Sequence, residues 1–155
     1  MNLQQILTNK MELKMAKIFA FITAAVLALT LTACGGPSKE EVAQKWVEAN
    51  YSANVDEVVN LVYFTPTDNK EELENNKKTL SGKLANSLPE KKKEIDEQAG
   101  GVKSIVVKEV VENKNDPKYA NAVVEVTFNK ELRGSLTRIE KFTLIQTDSG
   151  WLVNF

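Results

Sequence analysis

Downstream of residue 37 the hydrophobic residues recur at helical spacing in the first half of the chain and at strand spacing in the second. Ser38-Lys39-Glu40-Glu41 has the S-x-x-E form of a capping box, which predicts that a helix begins at Ser38. A second start signal, Asn54-Val55-Asp56-Glu57, predicts a shorter helix that ends before Pro66, because the residue before a proline is pushed out of the helical region. The apolar face of the first helix runs as far as Tyr51 and contains Val42, Ala43, Trp46, Val47 and Ala49.

A third helix is predicted from Asp68, which can cap its first turn, to the glycine pair Gly100-Gly101. Ser87-Leu88-Pro89-Glu90 repeats the capping-box spacing with proline in the first turn, which predicts a kink or a restart there. Most of this helix should face solvent, because its apolar residues form only a narrow stripe: Leu73, Leu80, Leu84 and Leu88.

From Val102 onward the pattern changes to short β-branched runs separated by turn residues. It predicts four strands, at residues 102–112, 119–129, 135–147 and 151–155. Their connections are short, so consecutive strands should pair antiparallel as a meander. Ala122, Val124, Val126 and Phe128 share one face of the second strand, and we expect that face to be buried. Helices first and an antiparallel sheet second predict an α+β fold, with N-terminal helices packed on a curved four-stranded sheet.

Residues 1–33 have the layout of a cleaved secretory signal. A mostly apolar stretch at residues 18–31 follows three lysines, and the 16 residues from Ile18 to Ala33 fall short of the roughly 20 that a membrane-spanning helix needs. Leu31-Thr32-Ala33-Cys34 resembles the lipobox of bacterial lipoproteins, which implies cleavage before Cys34, a diacylglyceryl thioether on its thiol and acylation of its new amino group. The charged region before the apolar stretch is long, so the true start is expected at Met11 or Met15.

The chain is therefore expected to contain a signal peptide at residues 1–33, a lipidated cysteine with a short tether at 34–37, and a single α+β domain at 38–155. Several acyl chains hold a protein on a membrane far better than one. Gly35 stands where lipoproteins kept in the inner membrane often carry Asp. The resemblance therefore implies the periplasmic face of the outer membrane in a cell with two membranes, and the outer face of the cell membrane in a cell with one.

Composition limits the chemistry that the chain can perform. The sequence has no histidine, which excludes Ser-His-Asp and Cys-His catalytic groups and imidazole metal sites. Cys34 is the only cysteine, and the acidic clusters lack the spacing of a calcium loop, so no metal or cofactor is predicted. Removal of residues 1–33 takes away three lysines and one glutamate and changes the net charge from −1 to −3. Nucleic acid is therefore not an expected partner.

Four segments carry a family resemblance, at residues 54–59, 100–102, 122–127 and 148–153, the last containing a D-x-G-W turn. Their order resembles the small nuclear-transport-factor-2-like (NTF2-like) or cystatin-like domains of bacterial lipoproteins, in particular the domain of unknown function 4878 family. The resemblance implies helices packed on a curved sheet, sometimes around a pocket, and supplies no agreed substrate. It also implies a homodimer through the outer face of the sheet, to which Val123 and Ile145 would contribute.

Candidate site residues come from the aromatic side chains and the acids near them. Glu109 shares strand parity with Ile105 and Val107, so it either projects into the core, where desolvation would suit it to general-base work, or reaches solvent near a strand end. Arg138 and Glu140 are expected to form an ion pair at the rim. The aromatic residues either line a pocket or form a packed core. The candidates for pocket-lining positions are Trp46, Tyr63, Glu109, Phe128 and Phe142.

Two function classes fit these observations. The favoured one is a membrane-anchored envelope lipoprotein that is not an enzyme and that binds an envelope protein or a small apolar ligand. The alternative is a small-molecule enzyme of the cone-shaped fold class that uses a carboxylate base on a hydrophobic substrate. The alternative requires a cavity of roughly 300 Å³ or more that reaches such a carboxylate.

Overall fold

Three helices precede four strands in residues 36–155, the part of the chain that this computed structural model describes. This order confirms the α+β prediction. The lipobox residues Leu31, Thr32, Ala33 and Cys34 lie outside the described residues. Within residues 36–155, none of the helices combines the length and the apolar character that a membrane crossing requires. The elements are α1 (Lys39–Ser52), α2 (Val55–Leu61), α3 (Lys70–Ala99), β1 (Val102–Glu112), β2 (Tyr119–Leu132), β3 (Ser135–Thr147) and β4 (Gly150–Asn154).

Each helix begins at a side chain that caps its free backbone amides. The capping box of α1 is complete, because Ser38 Oγ accepts a hydrogen bond from Glu41 N at 3.1 Å and Glu41 Oε2 accepts one from Ser38 N at 2.9 Å. Asn54 caps α2, as predicted. For α3 the predicted cap is wrong by one residue: Asn69 accepts from the amides of the first turn, in place of Asp68.

Helix α3 runs without interruption for 30 residues, through Pro89. Of the predicted kink or restart at Ser87, the restart is therefore wrong, and the kink stays a prediction. Ser87 Oγ donates to the carbonyl of Lys83, one turn earlier in the same helix, at 3.1 Å. Leu88 and Ile95 are buried on either side of the proline. This burial stabilises the helix across the position where proline removes one backbone hydrogen bond.

The four strands form one antiparallel sheet in the order β1-β2-β3-β4, which confirms the predicted meander. Arg133 and Gly134 connect β2 to β3 in a two-residue turn with φ values of 52° and 84°. Positive φ at both positions is the geometry of the hairpin turn whose twist matches that of the strands. Because the hairpin continues to this turn, β2 ends at Leu132, three residues later than predicted.

The core lies between the helices and the inner face of the sheet. The predicted inner face of β2 is buried from Ala122 to Phe128 at alternate positions. Side chains from two helices and the two last strands pack on it and fill the side of the sheet that faces the helices. They include Val42, Val47, Ile95, Leu144 and Val153.

A β-bulge in β1 places Glu109 on the outer face of the sheet. The register with β2 shifts between Val107 and Glu109, so that Val107 and Val110 both pack against the core. Glu109 is exposed. Of the two predicted alternatives for Glu109, exposure to solvent is therefore the one found, and its assignment as a pocket-lining residue is corrected, since strict alternation does not extend across a bulge.

The chain enters the domain beside the turn between β3 and β4. Gly36 has φ of 35°, and a Cβ atom at this position would lie 3.0 Å from the carbonyl oxygen of Ser149. Lys39, in the first turn of α1, forms an ion pair with Glu112 at the end of β1. We call this side of the sheet the tether end; the turn between β2 and β3 lies at the opposite end of the same strands.

Candidate functional site

Four polar side chains meet where α1, α3 and β3 come together, and we call them the polar cluster: Tyr51, Lys91, Arg138 and Glu140. The hydroxyl of Tyr51 donates a hydrogen bond of 2.5 Å to Glu140 Oε1. Arg138 Nε lies 3.3 Å from the same oxygen, so the ion pair expected from strand parity is present. The carboxylate of Glu140 is thus held by one neutral donor and one cation.

Tyr51 stays protonated in this setting. Burial raises the pKa of its phenol, and the hydrogen bond to the Glu140 carboxylate raises it further. An ionised phenolate would lose that bond and would face a second negative charge. Tyr51 therefore acts as a fixed hydrogen-bond donor rather than as a base.

Lys91 is the cation of the polar cluster that lacks an ion pair. Its ammonium lies 4.0 Å from the centroid of the Tyr51 ring, a cation–π distance. Within residues 36–155, no carboxylate lies within the 4.0 Å of Lys91 Nζ that defines an ion pair. Burial lowers the pKa of Lys91, partly opposed by the charge of Glu140. A half-buried ammonium of this kind is open to an added anion.

Two cavities adjoin the polar cluster. The larger, of about 280 Å³, opens between α3 and the β2–β3 hairpin, and we call it the distal cleft because it lies away from the tether end. The smaller, of about 50 Å³, is lined by Trp46, Asn50 and three members of the polar cluster, and we call it the inner cavity. Lys91 lines both. The apolar floor of the distal cleft is formed by Ile95, Phe128 and Leu132, and its polar rim by Lys91, Glu94, Arg133, Ser135, Thr137 and Arg138.

Trp46, which lines the inner cavity, carries a second unpaired donor. Its indole Nε1 is buried and has no hydrogen-bond partner among the described residues. The ring packs on Phe142, with ring centroids 4.6 Å apart, and faces Phe155 at 6.5 Å. A buried donor without an acceptor is costly, which makes this position a place where an acceptor would be stabilising.

The structure places the five predicted pocket-lining residues in different parts of the fold. Phe128 lines the distal cleft and Trp46 lines the inner cavity. Neither cavity is lined by the other three residues. Phe142 packs on Trp46, and Glu109 is on the outer face of the sheet. Tyr63 follows α2, and its amide donates a hydrogen bond of 2.7 Å to the Val153 carbonyl.

Sequence reasoning missed the roles of Tyr51 and Lys91 in this site. Lys91 belongs to a run of lysines between acids, a pattern typical of a solvated helix face. Its position three residues after Leu88 and four before Ile95 was the usable signal, because that spacing places it on the buried stripe of α3.

A wider groove of about 630 Å³ lies between α2 and α3. Its lining includes Asp56, Asn60 and Lys78, all of which are exposed. A ligand there would stay in contact with water, so the distal cleft is the better candidate site.

Comparison with known proteins gives the fold. No protein-family model matches this chain, and no curated relative matches it. Among solved structures, a crystal structure from Campylobacter jejuni, described as that of a putative NTF2-like transpeptidase, matches with a TM-score of 0.59 at 24% identity. The match covers 77% of this chain and 99% of that one. It confirms the NTF2-like fold, with three helices packed on a four-stranded antiparallel sheet.

Proposed function

We propose that this NTF2-like domain is a lipid-anchored binding module of the cell envelope, without catalytic activity, that holds its ligand or partner at the distal cleft. The observation that carries the proposal is the distribution of space on the side of the sheet that faces the helices. Core side chains fill that side, and the distal cleft is open beside them with an apolar floor and a polar rim. Such a lining is typical of ligand sites.

The anchor in this proposal is the lipid on Cys34. Gly36 and Pro37 pack on the turn between β3 and β4, and the two residues from Cys34 to Gly36 span at most about 7 Å of chain. The distal cleft begins about ten residues along β3 from that turn, a strand length of about 30 Å. The anchor would thus hold the tether end near the lipid and leave the cleft accessible to a ligand or an envelope protein.

The alternative function, an enzyme with a carboxylate base, would need Glu140 or Glu94 as that base. Glu140 reaches only the inner cavity, whose 50 Å³ is far below the roughly 300 Å³ that a substrate site needs. Glu94 lies in the distal cleft but is paired with Arg133 at 2.6 Å. Both acids are already engaged with cations, which supports binding over base catalysis.

We propose a second copy of the chain as the partner of the outer sheet face. In one row across the sheet Glu109, Val123 and Lys141 are paired neighbours on three strands. A two-fold axis along β2 would bring each Glu109 opposite the Lys141 of the other copy, with Val123 at the centre. Size-exclusion chromatography with light scattering tests the proposed dimer. We expect the wild-type protein to be a dimer and Val123→Asp to be a monomer. A wild-type protein that is monomeric at all concentrations contradicts the proposal.

A photo-crosslinking amino acid at Thr137, on the rim of the distal cleft, tests the binding role in the cell. The matched control is the same amino acid at Thr79, which is exposed on α3. We expect a discrete adduct, either a small ligand or one envelope protein, from position 137 alone. Equal labelling at both positions, or none at 137, contradicts the proposal.

Loss of membrane association in Cys34→Ala, with acyl groups on the wild-type N-terminal peptide, tests the anchor separately.

A further inference from the structure

We propose, building on the proposed function of the distal cleft, that its ligand is a small carboxylic acid. The carboxylate would pair with Lys91 Nζ in the inner cavity and, with a shift of the Trp46 ring, would accept a hydrogen bond from its Nε1, which is fully covered in this structure. The apolar body would lie on Phe128 in the distal cleft. The inference rests on the two donors, on the charges around them and on the size of the two spaces.

The two donors lack acceptors, and the side chains that carry them line the same small space. Trp46 Nε1 is buried without a partner, and Lys91 has no carboxylate within ion-pair distance in the described part of the chain. A cavity of about 50 Å³ holds one or two groups of the size of water. This volume suits a head group with two acceptor oxygens and is too small for a whole ligand.

The charges around the site favour a single negative charge. Arg133 is neutralised by Glu94 at 2.6 Å, and Arg138 by Glu140 at 3.3 Å. Lys91 is the cation of the polar cluster without an ion pair, although the Glu140 carboxylate lines the same inner cavity and partly offsets its charge. Lys91, Arg138 and Glu140 together carry one net positive charge, which a monoanion would neutralise. A carboxylate also forms the short, charge-assisted hydrogen bonds that an ammonium favours.

The body of the ligand is limited by the distal cleft. Its 280 Å³ lies at the lower edge of the usual range for small-molecule sites, and its floor is apolar. Lys91 lines both spaces, so a molecule held at Lys91 by its carboxylate can place a ring or a short hydrocarbon chain against Phe128. A small aromatic or branched aliphatic acid fits this description.

Tryptophan fluorescence offers a direct test with benzoate and its neutral counterpart benzamide. The full-length protein in lipid nanodiscs would carry Trp151→Phe, which leaves Trp46 as its one indole. We expect a saturable change in Trp46 emission with benzoate, and at least tenfold weaker binding of benzamide, since a hydrogen bond to a charged group commonly contributes that much or more. Equal affinity for the two compounds overturns the inference.

Variants of neighbouring lysines on α3 identify the cation. Lys91→Met should weaken benzoate binding at least about tenfold, whereas Lys93→Met, at a position that is paired with Glu97 on the surface, should leave it unchanged. Lys91→Arg keeps the charge and should retain binding, and circular dichroism checks that each variant is folded. Equal effects of Lys91→Met and Lys93→Met overturn the inference. If benzoate fails to bind while crosslinking at Thr137 still captures a ligand, the carboxylate inference is wrong and the binding function stands.

Discussion

The hydroxyl of Tyr51 donates a 2.5 Å hydrogen bond to Glu140, a residue 89 positions later in the chain. This bond joins the last turn of α1 to β3 beside the inner cavity. The Tyr51 ring supports the ammonium of Lys91, and Glu140 holds the side chain of Arg138. Tyr51 thus contacts one cation of the distal cleft, Lys91, directly and a second, Arg138, through Glu140.

Removal of the Tyr51 hydroxyl should destabilise the fold. We expect Tyr51→Phe to lower the free energy of unfolding by about 1.5 kcal/mol, because it deletes a hydrogen bond to a charged group and keeps the ring in the core. Urea unfolding measures the change. Tyr119→Phe is the matched control and should have little effect, since no hydrogen bond of its hydroxyl is found within residues 36–155. Equal losses in the two variants would contradict the role assigned to the Tyr51–Glu140 bond.

The contribution of Tyr51 should disappear at high pH. Burial raises its pKa above the ordinary value near 10, so between that value and the folded-state pKa the folded protein keeps a proton that the unfolded chain has released. Stability that is fully present below pH 10 is therefore lost as pH rises above it. We expect wild type to lose more stability than Tyr51→Phe between pH 8 and about pH 11.5 in urea titrations. Both proteins contain Lys91, Arg138 and Glu140, so the difference between them reports on the Tyr51 hydroxyl. Equal losses of stability with pH in the two proteins would contradict the role of Tyr51.

Lys91 should reduce stability at neutral pH. Burial lowers the pKa of Lys91, so the folded state binds this proton less tightly than the unfolded chain does. The resulting loss of folding stability is present below the folded-state pKa and disappears as pH rises toward 10.5. We expect Lys91→Met to raise the midpoint of thermal unfolding at pH 7, because it keeps the apolar stem and removes the charge. Lys93→Met should be close to neutral. A lower midpoint for Lys91→Met would show that its contact with the Tyr51 ring outweighs desolvation.

The packing of the tether on the β3–β4 turn should depend on glycine at position 36. Gly36→Ala should lower stability by about 1 kcal/mol, since its φ is positive and its Cβ would lie 3.0 Å from Ser149 O. Gly82→Ala is the control: that glycine lies inside α3 with open space around it, and the change should raise stability by about 0.5–1 kcal/mol. Differential scanning calorimetry distinguishes the two. A neutral Gly36→Ala would mean that the tether is free of the turn.

Local signals were sufficient for most of the fold. The capping box at Ser38, the glycine pair after α3 and the alternation in β2 each depend on residues close in sequence, and each predicted its element correctly. The continuity of α3 through Pro89 was not predictable in this way, because it depends on burial of Leu88 and Ile95 against other elements.

The site was harder to predict because its geometry is non-local. A one-residue bulge moved Glu109 to the outer face, and alternation alone carries no sign of a bulge. The contact between Tyr51 and Glu140 joins residues far apart in the chain, and Lys91 was hidden in a charged run. Phe128 and Trp46 were predicted correctly as cavity-lining residues, because large aromatic residues on buried faces commonly border cavities at the edge of a core.

Native mass spectrometry of the full-length protein, released from its own membranes, is the direct test of whether the distal cleft holds a small acid. We expect one discrete added mass of a small carboxylic acid, present in wild type and Lys93→Met and absent from Lys91→Met. A bare wild-type mass, or an added mass that survives Lys91→Met unchanged, would contradict it.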